Sequence, residues 1–196
     1  MFTATGVGRD EPEPEIFKRP VWLGPPEDEL GRAVDVAQVL ARSDRGLVAL
    51  SHAIAYSTGV SFTFEARVAG LKSIEMHMIQ THQHVGRIEG GLDELPDGFI
   101  RIGLELPGGA RVSNLGMPRW RPGEEPDGPS LVMSGGGGGQ TSARIVQLHP
   151  GYWLHPLPDE GTIRVSCEWP IAEIPFTTVE LAAAPLRAAG AQAIAL

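Results

Sequence analysis

Apolar and polar side chains alternate along several short stretches of this chain, which is the period-2 pattern of half-buried β-strands. The clearest stretches run from Thr162 to Trp169 and from Val60 to Val68. We predict that each is a strand with one face in the core. The inward face of the first is predicted to carry Ile163, Val165, Cys167 and Trp169.

The same alternation, punctuated by proline and glycine, predicts further strands and two hairpins. Leu47–Tyr56 should pair with Val60–Val68, because Ser57–Gly59 supplies a short turn. Strict alternation places His52 on the apolar stripe of its strand, which predicts a core histidine. The other predicted strands are Ala33–Arg42, Phe99–Leu106, Ala110–Leu115, Leu131–Met133, Ala143–His149, Tyr152–His155 and Phe176–Glu180.

Short strands at near-regular spacing predict an all-β fold, an antiparallel β-sandwich of immunoglobulin-like type. A closed barrel is the nearest alternative. The alanine-rich end should form a short C-terminal helix, with Pro185 in its first turn. Residues 1–20, rich in glutamate and proline, are predicted to be a flexible acidic arm. Residues 21–196 are then a single domain.

Composition narrows the classes of partner. The 196 residues are 42% hydrophobic and 20% charged, as in ordinary globular proteins. A formal net charge of -8 argues against nucleic acid and anionic membrane, which both select basic patches. No apolar run is long enough to predict a membrane span, and no secretory signal is visible, so we expect a cytoplasmic protein. The single cysteine excludes an internal disulfide.

Histidines cluster in the segment EMHMIQTHQH, which raises the question of a metal site. On a strand, His82 and His84 would share one face and could bind a zinc-like ion, with His77 or Glu75 completing the shell. The alternative is a polar loop or edge strand that joins two hairpins. This alternative is favoured because neither HExxH nor a cysteine pair is present. No cofactor is predicted.

Residues Gly135–Gly139 do not form a phosphate-binding loop, because no lysine and no helix follow them. They are predicted to be a flexible loop at the edge of the sandwich. A different candidate for catalysis combines His149, His155 and Glu160, which lie near one another in sequence beside two aromatic residues. The alternative is that these are turn residues at the end of the sheet.

The segment HPGYWLHPLPDEGTIRVSCEWPIAEIP resembles an uncharacterised family of actinobacterial proteins. The shared pattern is WxxPLPxxG…EWP, here Trp153–Gly161 with Glu168–Pro170, together with an AYSTG-like turn and a polyglycine loop. The resemblance covers most of residues 20 to 185. It implies no activity, cofactor or site residue, since none is established for the family.

The leading hypothesis is a non-catalytic module that acts through protein contact, either with a partner protein or as a homo-oligomer. Aromatic side chains predicted to be exposed could anchor such an interface. A hydrolase or metal-dependent enzyme, and a small-ligand or carbohydrate-binding module, remain alternatives. The predicted binding residues are Trp22, Trp120, Tyr152, Trp153 and His155.

Overall fold

The structure is a computed structural model that describes residues 19–82, 95–116, 125–135, 139–142 and 145–196. Within these ranges it contains fourteen strands, two α-helices and a 3-10 turn at Pro170–Ala172. The helices are α1 (Ser73–His82) and α2 (Ala184–Gly190). The strands are β1 (Glu29–Leu30), β2 (Arg32–Val34), β3 (Gln38–Arg42), β4 (Gly46–Ala55), β5 (Val60–Ala69), β6 (Arg101–Glu105), β7 (Arg111–Ser113), β8 (Ser130–Gly135), β9 (Gly139–Thr141), β10 (Ile145–Leu148), β11 (Gly151–His155), β12 (Thr162–Trp169), β13 (Ile174–Ala182) and β14 (Ile194–Ala195).

The larger sheet contains eight strands, all paired antiparallel, which line up as five long strands. Three of the five are each split into two consecutive segments. β2 and β3 both pair with β4, while β10 and β11 both pair with β5. β8 and β9 then pair with β11 and β10 on the far side. The predicted hairpin of β4 and β5 is confirmed.

The interruptions in this sheet lie in one row, which we call the break row. The register of β4 shifts between Leu50 and His52, opposite Phe64 and Thr63 of β5. β3 pairs with β4 before the shift and β2 pairs after it. On the other side of β5, the Phe64 N–H donates to the carbonyl of Pro150, which separates β10 from β11, at 2.9 Å. Bulges bend a strand and increase its twist, so the sheet curves along this row.

The break row corrects the prediction for His52. Ser51 is an extra residue in β4, and its hydroxyl donates to a carbonyl of β5 at 2.9 Å. The inward-facing residues of β4 are therefore even-numbered before Ser51 and odd-numbered after it, so that Ala53 and Ala55 are buried. His52 and Ile54, which strict alternation placed inside, are exposed. The prediction of a core histidine was wrong because a one-residue slip moves every later side chain to the other face.

The smaller sheet contains four antiparallel strands in the order β13, β12, β6, β7. β12 and β13 form a hairpin around the 3-10 turn, and β6 and β7 form the second predicted hairpin. The predicted inward face of β12 is confirmed, since Ile163, Val165, Cys167 and Trp169 are all buried. The indole Nε1 of Trp169 is satisfied by the carbonyl of Gly98 at 3.1 Å.

The two sheets pack face to face around one apolar cluster, to which both contribute. The all-β antiparallel sandwich with a short C-terminal helix is thus confirmed. Pro185 lies in the first turn of α2, as predicted, and Leu186 buries the helix against the domain. No helix among the described residues is long and apolar enough to cross a membrane. The predicted N-terminal arm lies almost entirely outside the described residues.

Candidate functional site

Three aromatic side chains that we predicted to be exposed are in fact buried. Trp22, Tyr152 and Trp153 are 2%, 1% and 0% exposed. β11 lies between β5 and β8, and residues 151–154 are all buried, so both of its faces are covered. The expectation that these rings anchor an interface from the surface was therefore wrong. Trp120, the fourth aromatic candidate, lies outside the described residues.

Tyr152 faces the smaller sheet and takes part in a buried polar network. Its hydroxyl accepts a hydrogen bond from Asn114 Nδ2 at 2.9 Å. Asn114 also donates to the carbonyl of Ile100 at 2.8 Å, and its Oδ1 accepts from the N–H of Ile102 at 2.9 Å. Burial raises the pKa of Tyr152 to about 12, although the bond from Asn114 opposes the shift. The phenol is therefore neutral in the physiological range and has a structural role.

Trp153 points to the opposite face and holds the segment that precedes β1. Its indole Nε1 donates to the carbonyl of Val21 at 2.8 Å. The ring of Tyr56 meets it edge-on, with centroids 5.6 Å apart. Trp22, the next residue along the chain, is also buried, whereas the side chain of Val21 is exposed.

The described part of the histidine-rich segment, up to His82, lies in helix α1 rather than in the strand or loop that we predicted. The N–H of Lys72 donates to the Glu75 carboxylate at 2.6 Å, which caps the first turn, and Ile79 is fully buried. On a helix, Glu75 and the exposed His77 are two residues apart and point in different directions. The described residues contain no group of three or more acidic, histidine or cysteine side chains that could hold a metal. His84 and the side chain of His82 lie outside the described part.

His149 and His155 do not form a catalytic pair. His149 contacts Gln147 at 3.0 Å, whereas His155 lies at the far end of β11. Six extended residues separate the two by about 20 Å. Glu160 is exposed in the loop before β12. The structure thus contradicts the grouping on which the hydrolase hypothesis depended.

A small cleft does open beside His155, and we call it the His155 cleft. It has a volume of about 240 Å³ and is lined by Trp22, Glu125, Pro126, Gly128, Pro129, His155 and Pro156. The Nδ1 of His155 lies 3.0 Å from the carbonyl of Thr58, so the Nδ1–H donates and Nε2 is the acceptor. Burial lowers the pKa of His155, while Thr58 and the charge of Glu125 oppose the shift. The neutral imidazole is therefore favoured.

The larger concave feature, about 590 Å³, lies on the solvent face of the smaller sheet, and we call it the outer groove. Side chains cross the four strands here in two registered rows. The charged row contains Arg111, Glu105, Arg164 and Glu180. The small row, which forms the floor, contains Ser113, Gly103, Ser166 and Thr178. A Cβ on Gly103 would meet only the Val112 carbonyl, at 3.7 Å, so glycine keeps the floor low without being required by packing.

The charges of the outer groove are paired with one another. Glu105 accepts from Arg111 at 2.8 Å and from Arg164 at 3.1 Å. Ser166 and Thr178 share a hydrogen bond of 2.9 Å on the floor. Phe176 stands at one side of the groove with 70% of its surface exposed. The groove therefore combines a neutralised polar row with an exposed aromatic ring.

β13 forms the edge of this sheet, and the hydrogen-bonding direction of its residues follows from the register. The carbonyl of Ile102 accepts from the N–H of Asn114, beyond the end of β7, at 3.0 Å. Alternate residues of an antiparallel sheet direct their backbone groups to opposite neighbours. We apply this rule through the paired residues from β6 to β12 and from β12 to β13. The backbone N–H and C=O groups of Thr177 then point toward β12, whereas those of Thr178 and Glu180 point outward. No strand of the described residues pairs with that outer side.

The alternation of Phe176–Glu180 predicts the strand β13, but none of its residues was among the predicted site residues. The signal was present: Phe176 shares a face with Thr178 and Glu180, whereas Val179 lies on the inner face. A large aromatic on the polar face of a strand is the unusual residue, and it marks the groove.

Comparison with protein-family models, with curated proteins and with solved structures finds no match to this chain.

Proposed function

We propose that this protein is a non-catalytic β-sandwich module that binds an extended segment of a partner protein along β13. The observation that carries the proposal is the outer side of β13, with which none of the described strands pairs, beside the exposed ring of Phe176. Edge strands of soluble proteins are ordinarily shortened, charged or covered, because free backbone groups pair readily with another chain. β13 is nine residues long and retains a large apolar side chain at its edge.

Strand addition explains both parts of the surface. The outward N–H and C=O groups of Thr178 and Glu180 would form the ladder with the incoming segment, which supplies affinity. Alternate side chains of that segment would lie over the solvent face, where the exposed ring of Phe176 on β13 can pack against an apolar group. The paired charges of Arg164 and Glu105 give the groove no strong excess of either sign, which favours a polypeptide over nucleic acid.

Selection of peptides displayed on phage against the immobilised protein tests the proposal. Thr178→Pro removes an outward N–H without removing a ladder bond to β12, and edge strands accept proline at such positions. Thr178→Val is the matched control, because it also loses the hydroxyl contact with Ser166 but keeps the backbone donor.

We expect enriched peptides to bind wild type and Thr178→Val, and to lose binding to Thr178→Pro and Phe176→Ser. Thermal unfolding of each variant establishes that the loss does not come from misfolding. Failure to enrich any peptide, or enrichment of peptides that bind Thr178→Pro as well as wild type, would overturn the proposal.

A further inference from the structure

The His155 cleft is separate from the outer groove and has its own chemistry. Two lining residues carry side-chain acceptors, the Nε2 of His155 and the carboxylate of Glu125, and Trp22 carries an indole donor. None of its described lining residues is a lysine or an arginine. The contact from Nδ1 to Thr58 fixes the orientation of the imidazole, so the acceptor direction is held in place.

The walls of the cleft are apolar. The Trp22 side chain and three prolines surround the two acceptors, and Pro126, Pro129 and Pro156 have little freedom to move. An aromatic face attracts a cation, and a rigid wall lowers the entropic cost of binding. The volume of about 240 Å³ suits a side-chain-sized group rather than a drug-sized ligand.

One buried polar atom without a partner, the Nε1 of Trp22, belongs to a residue that lines this cleft, and as a donor it is not explained by a cationic ligand. The unpartnered hydroxyls of Thr58 and Ser130 are on neighbours of His155, but neither residue lines the cleft. The choice of ligand therefore follows from His155 and Glu125.

We infer that the His155 cleft binds a primary ammonium group, which donates to His155 Nε2 and to the Glu125 carboxylate beside the Trp22 side chain. The ammonium comes either from a small free amine or from a lysine side chain of a polypeptide. The inference does not depend on strand addition at β13.

Chemical-shift changes of the Trp22 indole N–H and the His155 ring provide the readout. n-Butylamine represents the free amine, and Nα-acetyl-lysinamide represents the lysine side chain. n-Butanol and Nα,Nε-diacetyl-lysinamide are the uncharged counterparts. We expect saturable shifts in the millimolar range for the charged member of at least one pair. The pair with the tighter charged member identifies the source. Equal shifts from charged and uncharged members would overturn the inference.

Glu125→Gln tests the role of the carboxylate while preserving its shape. We expect about tenfold weaker binding, as for loss of a charge-assisted hydrogen bond. Glu160→Gln is the matched control, because Glu160 is an exposed carboxylate that does not line the cleft, and it should bind like wild type. Equal affinity of Glu125→Gln and Glu160→Gln would overturn the inference. Thr178→Pro should bind the amine normally, which separates this result from the fate of the proposed function.

Discussion

Asn114 donates a hydrogen bond of 2.9 Å to Tyr152 and so joins the two sheets of the sandwich inside the core. The two residues are 2% and 1% exposed, so the bond is shielded from water. Asn114 is fixed in turn by the backbone of Ile100 and Ile102. The network thus sets how the smaller sheet lies on the larger one, in addition to the non-directional packing around it.

Replacement of Asn114 should be more harmful than replacement of Tyr152. Tyr152→Phe removes one hydrogen bond but leaves Asn114 bonded to Ile100, and we expect a cost of about 1 kcal/mol in the free energy of unfolding. Asn114→Leu strands the N–H of Ile102 and the carbonyl of Ile100 in the core, and should cost about 2 to 4 kcal/mol. Urea denaturation measures both. Equal costs for the two variants would show that the backbone contacts of Asn114 contribute little.

The thiol of Cys167 should be unreactive in the folded protein. It is 1% exposed, and burial raises its pKa to about 11, so little thiolate exists at neutral pH. We expect a disulfide-exchange reagent such as DTNB to label it only in denaturant, at a rate that follows the unfolded population. Rapid labelling without denaturant would contradict the burial of β12.

His155 should make stability depend on pH below neutrality. Because burial lowers the pKa of His155, the unfolded chain takes up the proton first as the pH falls through about 6.5. The stability is full above that pH and declines as the pH falls toward the lower folded pKa. His155→Asn keeps an N–H donor near the position of Nδ1 but does not titrate, so it should lack this part of the decline. Urea denaturation of both proteins across this range measures the difference, which must change with pH if the assignment is right.

Deletion of Ser51 should preserve the buried and exposed faces of β4. The deletion removes the extra residue, so regular alternation from Leu50 keeps His52 and Ile54 outward and Ala53 and Ala55 in the core. We expect the deleted protein to fold cooperatively. Ser51→Ala keeps the extra residue and loses only the hydroxyl bond to β5, at a cost of about 1 kcal/mol. A melting transition measured by circular dichroism compares the two, and loss of the cooperative transition on deletion would contradict the assignment of Ser51 as the extra residue.

Local patterns were enough to predict strands such as β5 and β12, because each pairs regularly and has one face in a continuous core. The pattern failed at Ser51, since the bulge is set by what the neighbouring strands do. The pattern also failed to predict that Trp153 is buried. The face of β11 that carries Trp153 is covered by the segment at Val21, more than a hundred positions away in the chain. α1 was missed because, among its side chains that the structure describes, Ile79 alone is fully buried, which leaves almost no helical period to detect.

Of the candidate site, the sequence identified His155 but not its setting. Glu125, Pro126 and Pro129 reach His155 only through the pairing of β8 with β11. The outer groove likewise depends on register, which places Gly103 beside Ser166 and Thr178. Register between distant strands cannot be read from the alternation within each strand.

We expect the break row to divide the larger sheet into two cooperative units. On one side, β2, β8 and β11 support the His155 cleft, and on the other side lie β3, β9 and β10. β4 and β5 are the strands that cross the row among the described residues, and β4 does so through its bulge. One half can therefore lose its hydrogen bonds while the other keeps them. Backbone amides of β11 and β10, although consecutive in the chain, should then exchange with solvent as members of separate groups.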